Sequence, residues 1–379
     1  MRPLNRSKDY RRHGANVGSV PSYTPMEIAQ RTNQAIESIQ SDLPAIHIVP
    51  RVNEADIVRL NPLGEGGYCK VERVSWNGRV FALKELKSST LENEAQFRIG
   101  FKDISVESAV LAGLDHPNII QIHGAASGSI KERIQQSRDG NGFFLLMDKV
   151  DYTLESQLRL WMKEGCGLEP VKSSASASVF QLFQSNHSQF QVDPASWNLM
   201  VKQRLPVALE IAQGLAYLHK HRVMYRDLKP DNVGLKDGHV KILDFGLATT
   251  DIQARECAGS RRYMAPEVVL RKRYTKAVDV YSFGILLYYI CSLQKPFELY
   301  STKDHFEKVV LGGERPTVPT WWPKSLQRLV TQCWSPFPSD RPAMEDVVRQ
   351  LQRMATTERH VATVKSSRIV PIAVTVSSS

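Results

Sequence analysis

The sequence has little cysteine: there are five in 379 residues, and no two of them form a C-x-x-C pair. This scatter argues against a disulfide framework or a zinc site and fits a reducing compartment. Long apolar runs are absent too, because the most apolar stretch, Tyr281 to Leu293, is too short to cross a bilayer and predicts a buried helix. The basic start, residues 1–14, has no apolar segment of the kind a secretory signal needs. We expect a protein with no membrane span that works in the cytoplasm, with the nucleus as the alternative.

Acidic residues are fewer than basic ones, which gives a formal net charge of +10 at pH 7. Such an excess is compatible with nucleic acid, a membrane surface or acidic substrates as partners. The basic residues are spread along the chain, apart from one group at its start: Arg2, Arg6, Lys8, Arg11 and Arg12. We therefore expect a solvated basic surface and no nucleic-acid site. The role of the basic arm and the oligomeric state stay open.

The order of patterns along the chain predicts an α+β fold with two unequal lobes. Residues 1–56 are polar and predict a flexible N-terminal extension, with a short helical pattern between Pro25 and Pro44. From residue 57 strand patterns come first and helical patterns follow, an order typical of α+β chains. A serine- and glutamine-rich stretch, about residues 165–195, predicts an inserted loop, and residues 354–379 form a tail with no clear anchor.

A glycine-rich turn lies between two of the predicted strands, where residues 63–71 read L-G-E-G-G-Y-C-K-V. Glycines let backbone N–H groups approach phosphates without a clash from Cβ. Many hairpins are rich in glycine, so this turn by itself is only a weak sign of a nucleotide site.

Three later motifs carry the strongest signal. Residues 225–232 read Y-R-D-L-K-P-D-N, D-F-G follows at 244–246, and A-P-E stands at 265–267. Together they resemble the catalytic loop, the metal-binding motif and the end of the activation segment in the protein kinase family. Lys229 and Ser260 resemble the serine/threonine type, and the Y-M-A-P-E ending is similar to that of the tyrosine-kinase-like group.

The resemblance covers about residues 57–353 and implies the two-lobed protein kinase fold. A small β-rich N-lobe with one key helix is expected at about 57–147 and a hinge at 148–150. A larger, mainly helical C-lobe is expected at 151–353. The resemblance also implies ATP and Mg²⁺ as cofactors, with Mn²⁺ as an alternative metal, and protein substrates with Ser or Thr acceptors.

The catalytic roles follow from the same resemblance. Phosphoryl transfer needs the hydroxyl aimed, its proton accepted and the charge of the γ-phosphate offset. Asp227 holds the catalytic-base position, and Lys229, two residues later, can reach the γ-phosphate. Asn232 and Asp244 are the implied magnesium ligands, which suits a hard ion that prefers oxygen.

The implied nucleotide contacts begin at the glycine-rich turn, which departs from G-x-G-x-x-G-x-V because Cys69 holds the third glycine position. Residues 81–84, F-A-L-K, resemble the V-A-I-K strand, whose alternation puts Ala82 and Lys84 on one face. Glu107 on the next predicted helix is the expected partner of the lysine, with an exposed carboxylate as the alternative. The implied nucleotide-binding residues are Gly64, Glu65, Gly66, Gly67, Val71, Ala82, Lys84, Glu107, Met147, Asp148 and Val150.

Two further departures stand near the site. Tyr225 replaces the usual histidine, and an aromatic ring there can still pack under Phe245. Gly234 stands where kinases usually place an aliphatic residue beneath the adenine. It predicts a looser floor for the base.

The activation segment suggests how activity is set. Counting back from Gly259, Glu256 holds the position where many kinases carry an activating phosphothreonine, and Arg226 is the residue that normally binds it. One carboxylate carries less charge than a phosphate's roughly −1.5 to −2, so we expect Glu256 to substitute for it in part. A solvated loop glutamate is an equal alternative. The candidate regulatory residues are Arg226, Glu256, Thr249, Thr250 and Ser260, of which Ser260 is the weakest candidate for a switch.

An active serine/threonine kinase is the leading hypothesis. The alternative is a pseudokinase or scaffold that binds partners without phosphoryl transfer, which Cys69 and Gly234 favour. Against it, no catalytic position is degenerate. A small-molecule phosphotransferase of the same fold is disfavoured by the A-P-E segment at 265–267.

Overall fold

The computed structural model describes residues 30, 49–91, 93–127, 143–163, 200–251 and 254–366. Three predicted segments lie outside these residues: the short N-terminal helix apart from residue 30, the insertion, and the last part of the tail. Within the described part of the chain, no helix is long and apolar enough to span a membrane.

A six-stranded sheet with the order β1-β5-β6-β4-β3-β2 forms the first lobe. Only β1 and β5 run parallel to each other. The β3–β4 hairpin turns at Asn77 and Gly78, both with positive φ, which matches the right-handed twist of the flanking strands. The strands are β1 (Arg51–Val52), β2 (Val58–Glu65), β3 (Cys69–Trp76), β4 (Arg79–Leu86), β5 (Ile122–Ala126) and β6 (Phe144–Met147).

The sheet begins ahead of residue 57, where the sequence predicts the folded unit to start. Arg51 pairs with Ala125 and Val52 with Ala126, so part of the expected flexible extension is a strand. Two residues are too few to show the alternation by which a strand is recognised in a sequence.

One long helix packs on this sheet. After the short helix α1 (Ser88–Leu91), α2 spans Glu94–Ala112. Its N-cap, Asn93, accepts a hydrogen bond from the backbone of Gln96 at 3.0 Å. Its apolar residues at helical spacing are buried: Val106, Val110, Leu111 and, just past its end, Leu114.

The second lobe is mainly helical. Its small sheet holds β7 (Tyr152–Thr153), β8 (Val233–Lys236) and β9 (His239–Ile242). The last helix continues to Ser366, past residue 354 where the sequence predicts an unanchored tail. The helices are α3 (Leu154–Lys163), α4 (Leu205–Lys220), α5 (Pro266–Val269), α6 (Ala277–Ser292), α7 (Thr302–Asp304), α8 (Lys324–Cys333) and α9 (Met344–Ser366), with π-helical turns at Met200–Arg204 and His305–Leu311.

One hydrophobic core joins the two lobes. It runs from Leu111 on α2 through Met147 at the end of β6 to the helices of the second lobe. Tyr225 and Phe245 are buried members of the same core, so the motifs that carry the chemistry are supported from below by packed apolar side chains. The two-lobed α+β fold predicted from the sequence is confirmed.

Candidate active site

Lys84 joins two carboxylates from different parts of the fold. It lies on β4, and its Nζ is 2.5 Å from Glu107 Oε2 and 3.0 Å from Asp244 Oδ1. Burial opposes the charge on the lysine, but Asp244 and Glu107 together raise its pKa above the ordinary value. The ammonium group is therefore held protonated at the point where β4, α2 and the D-F-G motif meet.

Phe245 and Tyr225 form the aromatic support that the sequence predicts. Their ring centroids are 5.2 Å apart at an interplanar angle of 67°, an edge-to-face arrangement. The Tyr225 hydroxyl donates to the carbonyl of Leu243, so the buried phenol has a partner. A tyrosine thus fits where histidine is usual, because its polar end bonds to the chain that leads into the D-F-G motif.

Asp227 is the centre of a small polar cluster. Its Oδ1 accepts the Ser260 hydroxyl at 2.7 Å, and its Oδ2 accepts Lys229 Nζ and Asn232 Nδ2, both at 2.9 Å. Lys229 Nζ also lies 3.0 Å from Ser260 Oγ. The carboxylate thus accepts a hydrogen bond from a hydroxyl, which is the geometry that a base needs toward an acceptor side chain.

Asn232 is oriented by its own amide group. The Nδ2 donates to both the backbone carbonyl and the carboxylate of Asp227, which leaves the amide oxygen on the opposite side. Leu243 N donates to the Asn232 carbonyl at 2.9 Å, which brings the neighbouring Asp244 beside it. An amide oxygen and a carboxylate fit Mg²⁺, which keeps waters and substrate phosphates as its other ligands. Among the described residues there is no cluster of three or more His, Cys, Asp and Glu side chains that could hold a metal.

The catalytic loop is held by Asp279 at the start of α6. This carboxylate is fully buried and accepts the backbone N–H groups of Tyr225 at 2.9 Å and Arg226 at 2.7 Å. It also lies 2.9 Å from His219 Nε2. Arg226 has a φ of 70°, a strained conformation for a residue with a side chain, so the hydrogen bonds hold the loop in a shape that costs free energy.

The glycine-rich turn is closed by a backbone hydrogen bond and has open space beside two of its glycines. The Gly66 N–H donates to the Cys69 carbonyl at 2.7 Å, which closes the turn. A Cβ built at Gly64 or Gly67 would meet nothing within 4 Å, so the space that phosphates need is present. The Glu65 carboxylate pairs with Lys87 at 2.8 Å, which lowers its pKa and turns it toward β4.

Cys69 faces the interior. It is 8% exposed and packs with apolar side chains of β4 and α2, and burial raises the pKa of its thiol to about 12. A thiol with that pKa is not a reactive nucleophile at neutral pH. The residue fills space in place of the missing glycine.

Three more of the predicted nucleotide-binding residues lie on the neighbouring strands β3, β4 and β6. Val71 pairs with Lys84 across the β3–β4 ladder, and Ala82 pairs with Met147 across the β4–β6 ladder. Ala82 and Met147 are both buried. Met147, an implied nucleotide-binding residue, is thus also a member of the core.

Asp148, the first residue of the hinge, uses its side chain within the protein. Its Oδ1 accepts Lys236 Nζ at 2.6 Å and lies 3.1 Å from His123 Nε2. Burial by itself would raise the pKa of Asp148, but the hydrogen bonds from His123 and Lys236 bring it well below its ordinary value. The carboxylate therefore fixes the hinge, and contacts with a base fall to the backbone.

Gly234 does not leave the empty space that the sequence predicts. A Cβ built there would lie 2.7 Å from Val150 Cγ1, 2.9 Å from its Cβ and 3.0 Å from its Cγ2. Such distances are too short for two side chains to coexist. The expectation of a looser floor is therefore corrected, because the hinge valine occupies the volume that a side chain at position 234 would take.

Arg226 makes a long ion pair with Glu256, the residue predicted to substitute for a phosphate. Its Nη1 lies 3.4 Å from Glu256 Oε2 and 3.1 Å from the Tyr274 hydroxyl, while its Nε donates to the Leu247 carbonyl at 2.5 Å. Tyr274 in turn donates to the Glu256 carbonyl at 2.8 Å. The pair is thus formed, but the Glu256 side chain is 67% exposed, which limits its strength.

The candidate phosphorylation sites differ in access. Thr250 is buried, and Thr249 forms an antiparallel bridge with Met224 through N–H···O bonds of 2.8 and 3.0 Å. The Ser260 hydroxyl is engaged by Asp227. Modification of Thr250 or Ser260 would first require its surroundings to rearrange.

Several supporting residues escape sequence reasoning. His219 contacts Asp279 and Tyr274 contacts Arg226, although each pair is far apart in the sequence. Tyr68 and Gly100 likewise lie close together only in the folded first lobe. Asp279 and the Glu267–Arg341 pair, by contrast, stand in motifs that can be recognised in the sequence. For the pair, the motifs are A-P-E and a later arginine. Its two N···O distances are 2.6 and 3.0 Å, a buried bidentate contact.

A two-lobed fold with a lysine–glutamate pair, an aspartate-centred loop and a D-F-G carboxylate is the architecture of a protein kinase domain. Residues 57–351 match the family of protein tyrosine and serine/threonine kinases. The chain belongs to this family, and the resemblance seen in the sequence is confirmed.

Three curated relatives illustrate how similar the chain is to known kinases and how much of each it covers. Serine/threonine/tyrosine-protein kinase HT1 of Arabidopsis thaliana is 29% identical over 306 residues, 79% of this chain and 67% of its own length. Serine/threonine-protein kinase VIK of the same plant is 29% identical, over 80% of this chain and 61% of its own. Mitogen-activated protein kinase kinase kinase 7 of Homo sapiens is 30% identical, over 76% and 40%. The chain thus spans between two fifths and two thirds of the length of these three relatives.

Proposed function

We propose that the chain is an active protein kinase that transfers the γ-phosphate of ATP to serine or threonine hydroxyls of protein substrates. The observation that carries the proposal is the 2.7 Å hydrogen bond from Ser260 Oγ to Asp227 Oδ1. It places an aliphatic hydroxyl on the carboxylate, beside the Lys229 ammonium group. A serine or threonine acceptor entering beside Ser260 would meet the same two groups.

Each residue then has a defined task. Asp227 aims the acceptor hydroxyl and takes its proton, while Lys229 offsets charge on the transferred group. Lys84, held by Glu107, binds the phosphates of the nucleotide. Asn232 and Asp244 would hold Mg²⁺, which when bound neutralises phosphate charge. Most of the work is positioning and electrostatic stabilisation, and the clustered contacts of 2.5 to 3.0 Å support both.

Selection of serine and threonine over tyrosine rests on the Asp227–Lys229–Ser260 cluster. The name of one relative includes tyrosine and the names of others do not, so similarity by itself leaves both acceptors in play. The short reach from Ser260 to Asp227 favours an acceptor whose hydroxyl stands close to its own backbone.

The test is transfer of labelled phosphate from ATP and Mg²⁺ to a generic protein substrate, followed by separation of phosphoserine, phosphothreonine and phosphotyrosine. Wild type should label serine and threonine, and Asp227→Asn should lose the activity by a factor of about a thousand or more. Asp346→Asn, an exposed substitution on α9, is the matched control and should stay active. Equal labelling by wild type and Asp227→Asn would reject the proposal, and nucleotide binding without transfer would favour the scaffold alternative.

We also propose that the protein works in the cytoplasm. The four described cysteines, Cys69, Cys257, Cys291 and Cys333, are free thiols, which supports a reducing compartment. Imaging of a fluorescent fusion tests this, and a signal confined to the nucleus or to a secretory compartment would contradict it.

A further inference from the structure

The glycine-rich turn meets helix α2 at a point with no room for a side chain on Gly100. A Cβ built there would lie 2.9 Å from Tyr68 Cβ, 3.0 Å from Leu86 Cδ2 and 3.3 Å from Thr90 Cγ2. Glycine weakens the interior of a helix relative to alanine, so a glycine in the first half of α2 calls for a packing reason. The approach of Tyr68 supplies that reason.

Hydrogen bonds hold Tyr68 in this position. Its carbonyl accepts the backbone N–H of Lys87 at 2.9 Å and the Thr90 hydroxyl at 3.0 Å. Thr90 is fully buried on α1, the short helix that leads into α2. The tip of the turn is therefore bonded to the segment that joins β4 to α2.

Cys69 provides a second anchor. Where the family pattern has a glycine without a side chain, this thiol packs in a buried cluster with Leu86, Phe101 and Phe143. Phe101 is fully buried and follows Gly100 directly on α2. Two consecutive residues of the turn thus pack against two consecutive residues of the helix.

The same helix carries the partner of Lys84. Glu107 comes seven residues after Gly100, about two helical turns, so both residues lie on the same face of α2, roughly 10 Å apart. A displacement of α2 that separates Glu107 from Lys84 would also move the surface on which Tyr68 rests.

We infer that Tyr68 and Gly100 are positioning residues that couple the glycine-rich turn to α2, so the turn grips the phosphates of a nucleotide only while Glu107 holds Lys84. The part that concerns the nucleotide rests on the proposed function. Neither residue touches the reacting atoms. Their effect passes through the backbone of the turn.

The experiment combines two readouts in the full chain. The first is amide hydrogen exchange of residues 64–70 without nucleotide, and the second is the Kd of a fluorescent ATP analogue with Mg²⁺. The variants are Gly100→Ala, Tyr68→Gly and both together, with the exposed Lys102→Ala on the same helix as the control. Thr90→Val removes the hydroxyl at nearly constant shape and serves if Gly100→Ala does not fold.

Gly100→Ala should speed exchange in the turn and weaken nucleotide binding by about tenfold, because overpacking at such a contact changes equilibria by that order. Tyr68→Gly should do the same, and the double variant should resemble Tyr68→Gly, because the two β-carbons act through one contact. Thr90→Val should weaken binding less, in the same direction. The Lys102→Ala control should match wild type.

Helix propensity acts in the opposite direction. If Gly100 had no role beyond its helix, alanine would stabilise α2 and leave exchange in the turn unchanged, and that result would overturn the inference. Additive effects of Gly100→Ala and Tyr68→Gly would overturn it as well. If neither wild type nor any variant binds nucleotide, the proposed function fails. The hydrogen-exchange data would still decide whether the turn and the helix are coupled.

Discussion

Glu107 accepts a hydrogen bond from the backbone N–H of Phe245 at 3.2 Å. Its other oxygen receives Lys84 Nζ at 2.5 Å, and the side chain is fully buried. One carboxylate on α2 therefore fixes both Lys84, the implied phosphate-binding lysine, and the D-F-G backbone next to the implied metal ligand Asp244. Movement of α2 changes the two ends of the nucleotide site together.

Glu107→Gln should damage stability and activity together. Both oxygens of Glu107 face donors, so the amide group must present its own N–H₂ to either Lys84 or the Phe245 N–H. Breaking a buried charge pair in this way typically costs about 3–5 kcal/mol, and the urea midpoint should fall accordingly. The rate of phosphate transfer should also fall, by more than the loss of folded protein explains, because Lys84 and the D-F-G backbone lose a shared anchor.

The matched control is Glu307→Gln, whose side chain is 55% exposed and pairs with Lys303 at 3.8 Å. An exposed pair of that kind contributes at most about 1 kcal/mol, so the urea midpoint should barely change. Similar losses in the two variants would mean that the buried carboxylate has no special role.

The sequence predicts the chemistry of the site better than its packing. Asp227, Asn232 and Asp244 are recognisable because they stand at fixed spacings within short motifs, and the structure brings them together. The β3–β4 hairpin at Asn77 and Gly78 is likewise local and is found where the turn residues indicate.

What the sequence does not reveal depends on residues far apart in the chain. Gly234 implies an empty space until Val150 is seen to fill it, and the carboxylate of Asp148 meets Lys236 only through the fold. The strand at Arg51–Val52 is too short for a periodic signal. In each case the deciding contact joins residues far apart in the chain, and no local pattern encodes it.

Gly234→Leu should weaken nucleotide binding, because the new side chain and Val150 require the same volume. Overpacking of this kind costs about 1–3 kcal/mol, which corresponds to roughly a tenfold or greater change in Kd. Val150→Gly in the same chain removes all three clashing atoms and should restore much of the affinity. Nucleotide titration of the two single variants and the double variant measures the coupling.

Gly238→Asn is the matched control, since that glycine has a φ of +80° and open space around its Cβ position. Asparagine tolerates this backbone conformation better than most residues, so binding should stay near wild type. Additive losses at positions 150 and 234 would show that the two residues do not share one volume.

Glu256→Ala should lower activity by a few-fold and raise the protease sensitivity of the activation segment. The contact with Arg226 is 3.4 Å long and the glutamate is mostly exposed, so its contribution is at most about 1 kcal/mol. Arg255→Ala, on the neighbouring exposed residue, is the control and should leave both measurements unchanged. If Glu256→Ala behaves like Arg255→Ala, activity does not depend on a carboxylate at this position.

His305 should make the protein sensitive to acid. The side chain is 1% exposed, and within the described residues neither ring nitrogen has a hydrogen-bond partner. Burial and, next, the charges of Arg261, Arg262 and Arg315 lower its pKa to about 4 from the ordinary 6.5. Phe297 packs edge-to-face against the ring at 5.4 Å and adds no charge.

The direction in which pH changes the free energy of unfolding depends on whether the folded or the unfolded chain binds the proton. Above pH 6.5 the ring is neutral in both the folded and unfolded chain, and no free energy of unfolding is lost. Between pH 6.5 and 4 only the unfolded chain binds the proton, so the free energy of unfolding should fall by roughly 3 kcal/mol. His305→Leu, which cannot take up a proton, should be close to wild type at pH 7.5 and more stable than wild type at pH 4.5. Urea unfolding of both across this range, with Phe306→Leu as a neighbour that keeps the histidine, measures the difference, and parallel curves for wild type and His305→Leu would contradict the buried neutral ring.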